Sequence, residues 1–420
     1  METRRLDELC VQITDCPHST PQWLSSGKLV LRNFNIHNGR IDLSDVSYTD
    51  EETFFARNKR ATPIPGDIVM SREAPMGEVA IIPNGFECCL GQRMVLLHPD
   101  ATVCNGKFLM YSLLSPFVQK QIKRSDTTGS VVSNLCIPDL CALEIPYVNI
   151  ERQECIVALL SDIDSKIDNN NVIAAELEGM AKDLYDYWFV QLDFPDENGK
   201  PYKSSGGKMV WNEELNREIP EGWEVDRLGK VCDTLLGGTP DTENALYWNG
   251  DIPWLNSGEV ATSPVLNAEK TITKEGLKNS ATSFASAGAV VMSITRYIRP
   301  SILGIDACFN QSVIAVIPNE QIHSTYLYLF MLSQVERYMR LRTGAQQPHI
   351  NKETVDSTLI TLPVDSVLNR FYDRVEPLFE RQMIAMKEAK ELESLRDFLL
   401  PMLMNGQVKV KNGQVKVKGA

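Results

Sequence analysis

The apolar positions of this chain change period three times. Up to about residue 147 they fall in short runs rich in β-branched residues, LVLRNFNI, GDIVMS, EVAIIP and RMVLLHP, punctuated by Gly, Pro and Asn, which predicts strands and turns. Within that segment KFLMYSLLSPFVQKQIKR (107–124) has helical spacing, so the segment reads as α+β. From Asn149 the period lengthens. Ile156, Leu160, Ile163 and Ile167 step by four, three and four, and Ile173, Leu177, Met180, Leu184 and Trp188 resume the stripe. One helix of about 40 residues and about 60 Å is predicted. A polar stretch rich in Gly and Pro (193–222) marks a connector, after which a second mixed segment begins.

After Pro363 a second long stripe runs through Leu368, Phe371, Val375, Leu378, Ala385, Ala389, Leu392 and Leu399, with Pro377 expected to kink it or start it afresh. Two long one-sided helices predict an antiparallel coiled coil between them. Packing of each helix on its own globular segment is the alternative. The predicted class is α+β: mixed α/β domains at 1–147 and 223–364, a central helix at 148–192, the connector at 193–222, a C-terminal helix at 365–405 and a tail at 406–420. That tail holds the heptapeptide NGQVKVK twice, at 405–411 and 412–418, and reads as solvated.

The mixed segments repeat one another. LDELCVQITDCPHSTP (6–21) aligns without a gap on VDRLGKVCDTLLGGTP (225–240), an offset of 219, and GDIVMS (66–71) aligns on GAVVMS (288–293), an offset of 222. Thr128-Gly129 with Ile145-Pro146 recurs as Thr343-Gly344 with Leu362-Pro363. Two similar units lie in tandem.

At 420 residues the chain is too long for one ordinary core. It contains no run near the 18 apolar residues of a membrane span and no apolar leader after METRRLDELC, so the cytoplasm is the expected compartment. Ten scattered cysteines without a CxxC fit a reducing environment and argue against a structural metal. The net charge of −13 is unevenly spread: 148–222 holds seven basic against sixteen acidic residues, whereas 1–147 and 223–364 each carry only −3. Local basic faces therefore remain available to nucleic acid on the mixed segments. SSGGKM around Lys208 has Met209 where a P-loop needs a hydroxyl, and no GxGxxG after a strand, HExxH, GxSxG or Asp/Asn-Pro-Pro-aromatic string occurs. The chain reads as noncatalytic, and a coiled-coil adaptor whose globular heads bind protein is one reading of it.

DCPHSTP, the spacing of Gly27, Arg32, Asn35 and Ile36, GGTPDTENALYWNGDIPWLNSGEV (237–260), the two GD/GA-[IV]-V-M-S strands and TGAQQPHINKETV (343–355) together resemble the specificity subunit of type I restriction-modification systems. YDYWFVQLDFP (185–195) and LRDFLLPMLMNGQV (395–408) resemble the ends of that family's spacer helices. The resemblance spans nearly the whole chain. It implies two target-recognition domains, each reading half of a split site on double-stranded DNA, with the helices as ruler and as docking surface. It also implies two methyltransferase and two restriction subunits as partners and no membrane. No cofactor is expected in this chain, since S-adenosylmethionine, ATP and Mg would belong to the partner subunits, where the target adenine is flipped for methylation.

Candidate DNA contacts lie in loops between the repeated strands, where a rigid scaffold presents variable side chains. In the first domain these are Arg72, Arg93, Thr127, Thr128, Ser130, Ser133 and Asn134. In the second they are Arg296, Arg299, Gln346, Gln347, His349, Asn351 and Lys352. Arg suits guanine, Gln and Asn suit adenine, and hydroxyls in a Gly-containing turn suit phosphate. Trp254 is expected in the core.

Overall fold

The computed structural model describes residues 2–125, 134–295, 297–344, 348–411 and 414–417. The chain forms two compact units, Met1–Ile167 with Glu391–Ala420, and Asp168–Lys390.

The first unit is built on a four-stranded antiparallel sheet in the order Cys10–Asp15, Met94–Pro99, Ile68–Ser71, Val79–Ile81. Ile68, Val69, Met70, Met94, Val95 and Leu97 are fully buried, which explains why both strands read as continuous apolar runs instead of alternating. A small sheet, Ser47–Thr49, Lys28–Leu31 and Cys89–Leu90, pairs Val30 with Cys89 in parallel. Thr3–Arg5 pairs with Glu144–Pro146, so the first strand of the domain clasps its last. The predicted helix at 107–124 divides into Gly106–Leu114 and Pro116–Ser125, because Ser115 precedes a proline and takes extended geometry. Asn105 caps the first half, accepting hydrogen bonds from the N–H groups of Lys107 and Phe108.

The second unit repeats this plan. Its sheet runs Thr234–Leu236, Val313–Val316, Val290–Ser293, Pro300–Ile302, the same order and sense. A smaller sheet again contains one parallel pair, Trp254 beside Cys308, and Glu224–Arg227 clasps Leu359–Leu362. The hydrogen bonds correct the repeat's register. Leu6 N–H donates to Leu143 C=O and Leu228 N–H donates to Thr358 C=O, so Leu6 corresponds to Leu228, an offset of 222 in place of 219. At the far end of the strand Asp15 lies opposite Val95 and Leu236 opposite Ile314, an offset of 221. The gapless Thr-Pro match is a coincidence of letters.

Both long helices form: Ile150–Tyr185, extended by a π-turn at Asp186–Val190, and Asp365–Met404, which passes through Pro377 without restarting. In the first unit Ile156, Leu160 and Ile167 are buried, and Arg396 donates to Asp164 at 2.9 Å. In the second unit Asn170 donates to Glu388 at 3.0 Å and Gln382 to Glu178 at 3.2 Å, a descending register that makes the pair antiparallel. The stripe expected over 173–188 is displaced by one position in its first half. Ala174 and Ala181 are buried, whereas Ile173 is 44% and Met180 58% exposed. Small residues let helix backbones approach closely, so here size and not apolarity decides which face turns inward. The C-terminal stripe is as expected, with Leu368, Phe371, Val375, Ala385, Ala389 and Leu399 buried.

Two expectations change. The connector carries structure of its own: Met209–Asn212 pairs with Arg217–Pro220, and Phe194 stacks on Tyr202 and Trp223 at 4.6 and 5.3 Å. The heptapeptide tail is a hairpin, Val408–Lys411 against Gln414–Val417, anchored by the buried Val408. Val-Lys alternation suits a ribbon with one covered face.

Candidate nucleic-acid interface

In the first unit the strands around Asp15, Ser71 and Met94 reach one end of the main sheet, where three loops meet. Arg72 N–H donates to Arg93 C=O at 2.8 Å, and Leu135 N–H donates to Arg72 C=O at 3.1 Å. The structure thus brings together Arg72, Arg93 and Asn134. Their roles differ. Arg72 is 7% exposed, and its guanidinium is committed to Asp15 Oδ1 (2.5 Å), Leu135 C=O (2.8 Å) and Asn134 Oδ1 (3.3 Å), so it holds the loops instead of facing outward. Arg93 sits in the turn between Cys89–Leu90 and Met94–Pro99 with φ +66°, largely exposed, its Nε 3.1 Å from Glu73. His18 and Gln92 also face this edge: His18 Nε2 is 3.1 Å from Asp15, and Gln92 Nε2 donates to His18 C=O. Neither was expected, and only their position at strand ends could have signalled them. Thr127, Thr128, Ser130 and Ser133 lie outside the described residues.

The second unit builds the same edge with other side chains. Ile294 N–H donates to Ser312 C=O (2.9 Å), and Ile350 N–H donates to Ile294 C=O (3.0 Å), so Ile294 stands where Arg72 does and Ser312 where Arg93 does. Leu236 takes the place of Asp15. His349 is exposed here and exchanges two backbone hydrogen bonds of 2.9 Å with Thr343. Thr239 Oγ1 donates to Gln311 Oε1 at 2.6 Å. Asn351 and Lys352 have structural partners: Asn351 caps the helix Lys352–Asp356 by accepting from Thr354 N–H, and Lys352 Nζ lies 2.5 Å from Asp356. Arg299 is exposed beside a groove of about 650 Å³ lined also by Glu178, Tyr297 and Tyr328. Trp254 is buried as expected, donating to Gly238 C=O. Arg296, Gln346 and Gln347 lie outside the described residues.

The buried thiols are held protonated, burial pushing Cys88 and Cys104 up to about 12 and Cys89, Cys232 and Cys308 up to about 11. Among the described residues no group of three His, Cys, Asp or Glu is placed to hold a metal ion, and no helix is long and apolar enough to cross a membrane.

The model of the type I restriction modification DNA specificity domain matches residues 1–179 and, a second time, residues 220–394. The chain belongs to the type I restriction-modification specificity family. Its function is DNA sequence recognition. This specificity chain is 25% identical over 351 residues to the MjaIX specificity subunit of Methanocaldococcus jannaschii, covering 82% of itself and 78% of that relative. It is 20% identical over 399 residues to the HindI specificity subunit of Haemophilus influenzae, covering 82% and 86%. The crystal structure of the type I S subunit from M. genitalium shares its fold, with a TM-score of 0.54 at 18% identity over 96% of this chain and 95% of that one. The two profile matches span the two sheets with the same strand order, so the duplication read from the letters is a duplication of the specificity domain.

Proposed function

We propose that this chain is a noncatalytic specificity subunit whose two domains each read one half of a bipartite, asymmetric site on double-stranded DNA. The observation that carries the reading is the duplicated edge. One backbone frame presents His18, Arg93 and Asn134 in the first unit and Thr239, Ser312 and His349 in the second. Identical frames with different donors and acceptors are what two different half-sites require, since base edges are told apart by donor and acceptor pattern.

The long helices set the spacer and dock two adenine methyltransferase subunits, with two restriction subunits joining them. S-adenosylmethionine, ATP and Mg then act in those partners. What supports docking is the apolar surface the helices leave uncovered, Val172, Ile173, Met180 and Ile384 in the second unit and Leu395 and Phe398 in the first. Beside Ile384 a groove of about 670 Å³ is lined by Phe379, Met383, Ile302 and Pro264, with Glu376 and Glu380 at the same wall. This chemistry fits an apolar segment bearing Lys or Arg.

The test is to copurify the chain with a cognate methyltransferase subunit and map methylated adenines across a genome at single-base resolution. One split, asymmetric motif is expected, and exchange of residues 1–147 should change one half of it only. DNA binding should weaken steeply with salt. Methylation without a split motif would sink the two-reader reading.

A further inference from the structure

Beyond the strand-end serine, Ser71 and Ser293, most side chains named at the two edges have changed between the repeats, and one loop side chain has not. Arg72 is matched by Ile294, Glu73 by Thr295, Arg93 by Ser312, Asp15 by Leu236 and His18 by Thr239, yet Gln92 is matched by Gln311. Each glutamine sits in the turn that joins the smaller sheet to the main one, directly before the residue whose carbonyl receives the N–H of position 72 or 294. Each also bonds to the turn that ends the first strand. Gln92 Nε2 donates to the backbone carbonyl of His18, and Gln311 Oε1 accepts from the Thr239 hydroxyl. The same two loops are joined in both units, through opposite ends of the amide and to chemically different partners.

We propose that Gln92 and Gln311 are positioning residues for sequence reading. They latch the strand-end turn to the turn between the two sheets and so fix the loops that carry the base-reading groups of each half-site. This rests on the two-reader function above. A carboxamide presents a donor and an acceptor on one plane, so it keeps the latch when the partner changes from a carbonyl to a hydroxyl. A threonine hydroxyl accepts as readily as it donates, so the latch in the second unit survives either orientation of the amide. Glu in its place could not donate to the His18 carbonyl. A group that read a base directly would differ between two different half-sites, as the exposed Arg93 and its counterpart Ser312 do, whereas this glutamine is kept.

The experiment uses the full chain in complex with its methyltransferase subunits. Methylation rates are compared on the cognate site and on sites carrying one substituted base in either half, for wild type, Q92A, Q311A, T239V and the Q311A/T239V double variant. T239V breaks the second latch without touching its glutamine. The expected result is a loss of discrimination of about 5- to 10-fold, the value of one hydrogen bond, confined to one half-site for Q92A and to the other for Q311A and T239V. The double variant should lose no more than either single, and the salt slope of binding should stay unchanged. A salt slope reduced by about 1 with discrimination intact would make the glutamine a phosphate contact and overturn the proposal. Additive losses in Q311A and T239V, or unchanged discrimination in all variants while the wild type keeps its split motif, would overturn the latch alone. A wild type without a split motif would overturn the parent reading and the latch with it.

Discussion

The two edges share the backbone hydrogen bonds of Arg72 with Arg93 and Leu135, repeated by Ile294 with Ser312 and Ile350, and differ in their side chains. In the first unit a buried Arg72 reaches Asp15, Asn134 and Leu135; in the second the corresponding positions hold Ile294 and Leu236. The shared frame is therefore set by main-chain geometry and does not require the ion pair. This agrees with the general behaviour of buried ion pairs, which gain little over a well-packed apolar pair but are costly to break by halves.

The largest expected effect follows from that asymmetry. Arg72→Ile alone leaves Asp15 without its guanidinium and should lower stability by about 3 kcal/mol, whereas Arg72→Ile with Asp15→Leu, copying the second unit, should recover most of the loss in urea unfolding. A double variant as unstable as the single would break the equivalence of the two edges. Next in size is a contrast between two buried tyrosines. Tyr111 donates to Asp164 at 2.5 Å, and Arg396 serves the same carboxylate; Tyr328 donates to Glu178, which also accepts from the neutral Gln382. Tyr328→Phe should cost about 2 kcal/mol and Tyr111→Phe about 1 kcal/mol, measured the same way. Equal losses would show that the charged partner contributes nothing.

A smaller effect separates the units by pH. Burial raises the thiols of Cys10, Cys88, Cys89 and Cys104 in the first unit and of Cys232 and Cys308 in the second. A folded-state pKa above the unfolded one gives stability that is complete below about pH 9 and is lost as pH climbs toward 11 to 12, because the unfolded chain releases its protons first. The melting temperature should fall over that window, and alkylation mapped by mass spectrometry at pH 10 should reach Cys232 and Cys308 of the second unit before Cys88 and Cys104 of the first, which hold less thiolate at that pH. The smallest effect on stability is Ile384→Asp. At 67% exposure it should shift unfolding by less than about 0.5 kcal/mol yet abolish copurification with the methyltransferase subunit.

Much of this architecture was legible in the letters, and the departures have physical causes. Strands such as GDIVMS announce themselves because their apolar runs are buried on both faces, and the long helices because their stripes persist for ten turns. The register of the repeat was not legible at its start: Leu6 meets Val225 by letters but Leu228 by hydrogen bonding, since a shift of two or three residues in a short motif costs few identities. The choice of Ala174 and Ala181 over Ile173 and Met180 depends on how closely a second helix approaches, and adjacent apolar residues do not record that distance. Arg72 was misplaced because its burial depends on Asp15, 57 residues away. Among the candidate contacts, Arg93, Asn134 and His349 do stand exposed at the two edges, while His18 and Gln92 carry no local signal.

The clasp between first and last strand, Thr3–Arg5 with Glu144–Pro146 and Glu224–Arg227 with Leu359–Leu362, means that each domain leaves the chain's path and returns to it at the same place. Such a domain is attached like a plug in a socket. A foreign domain with the same two strand ends should splice in without disturbing the helix that follows, which makes a stretch of about 145 residues the expected unit of exchange.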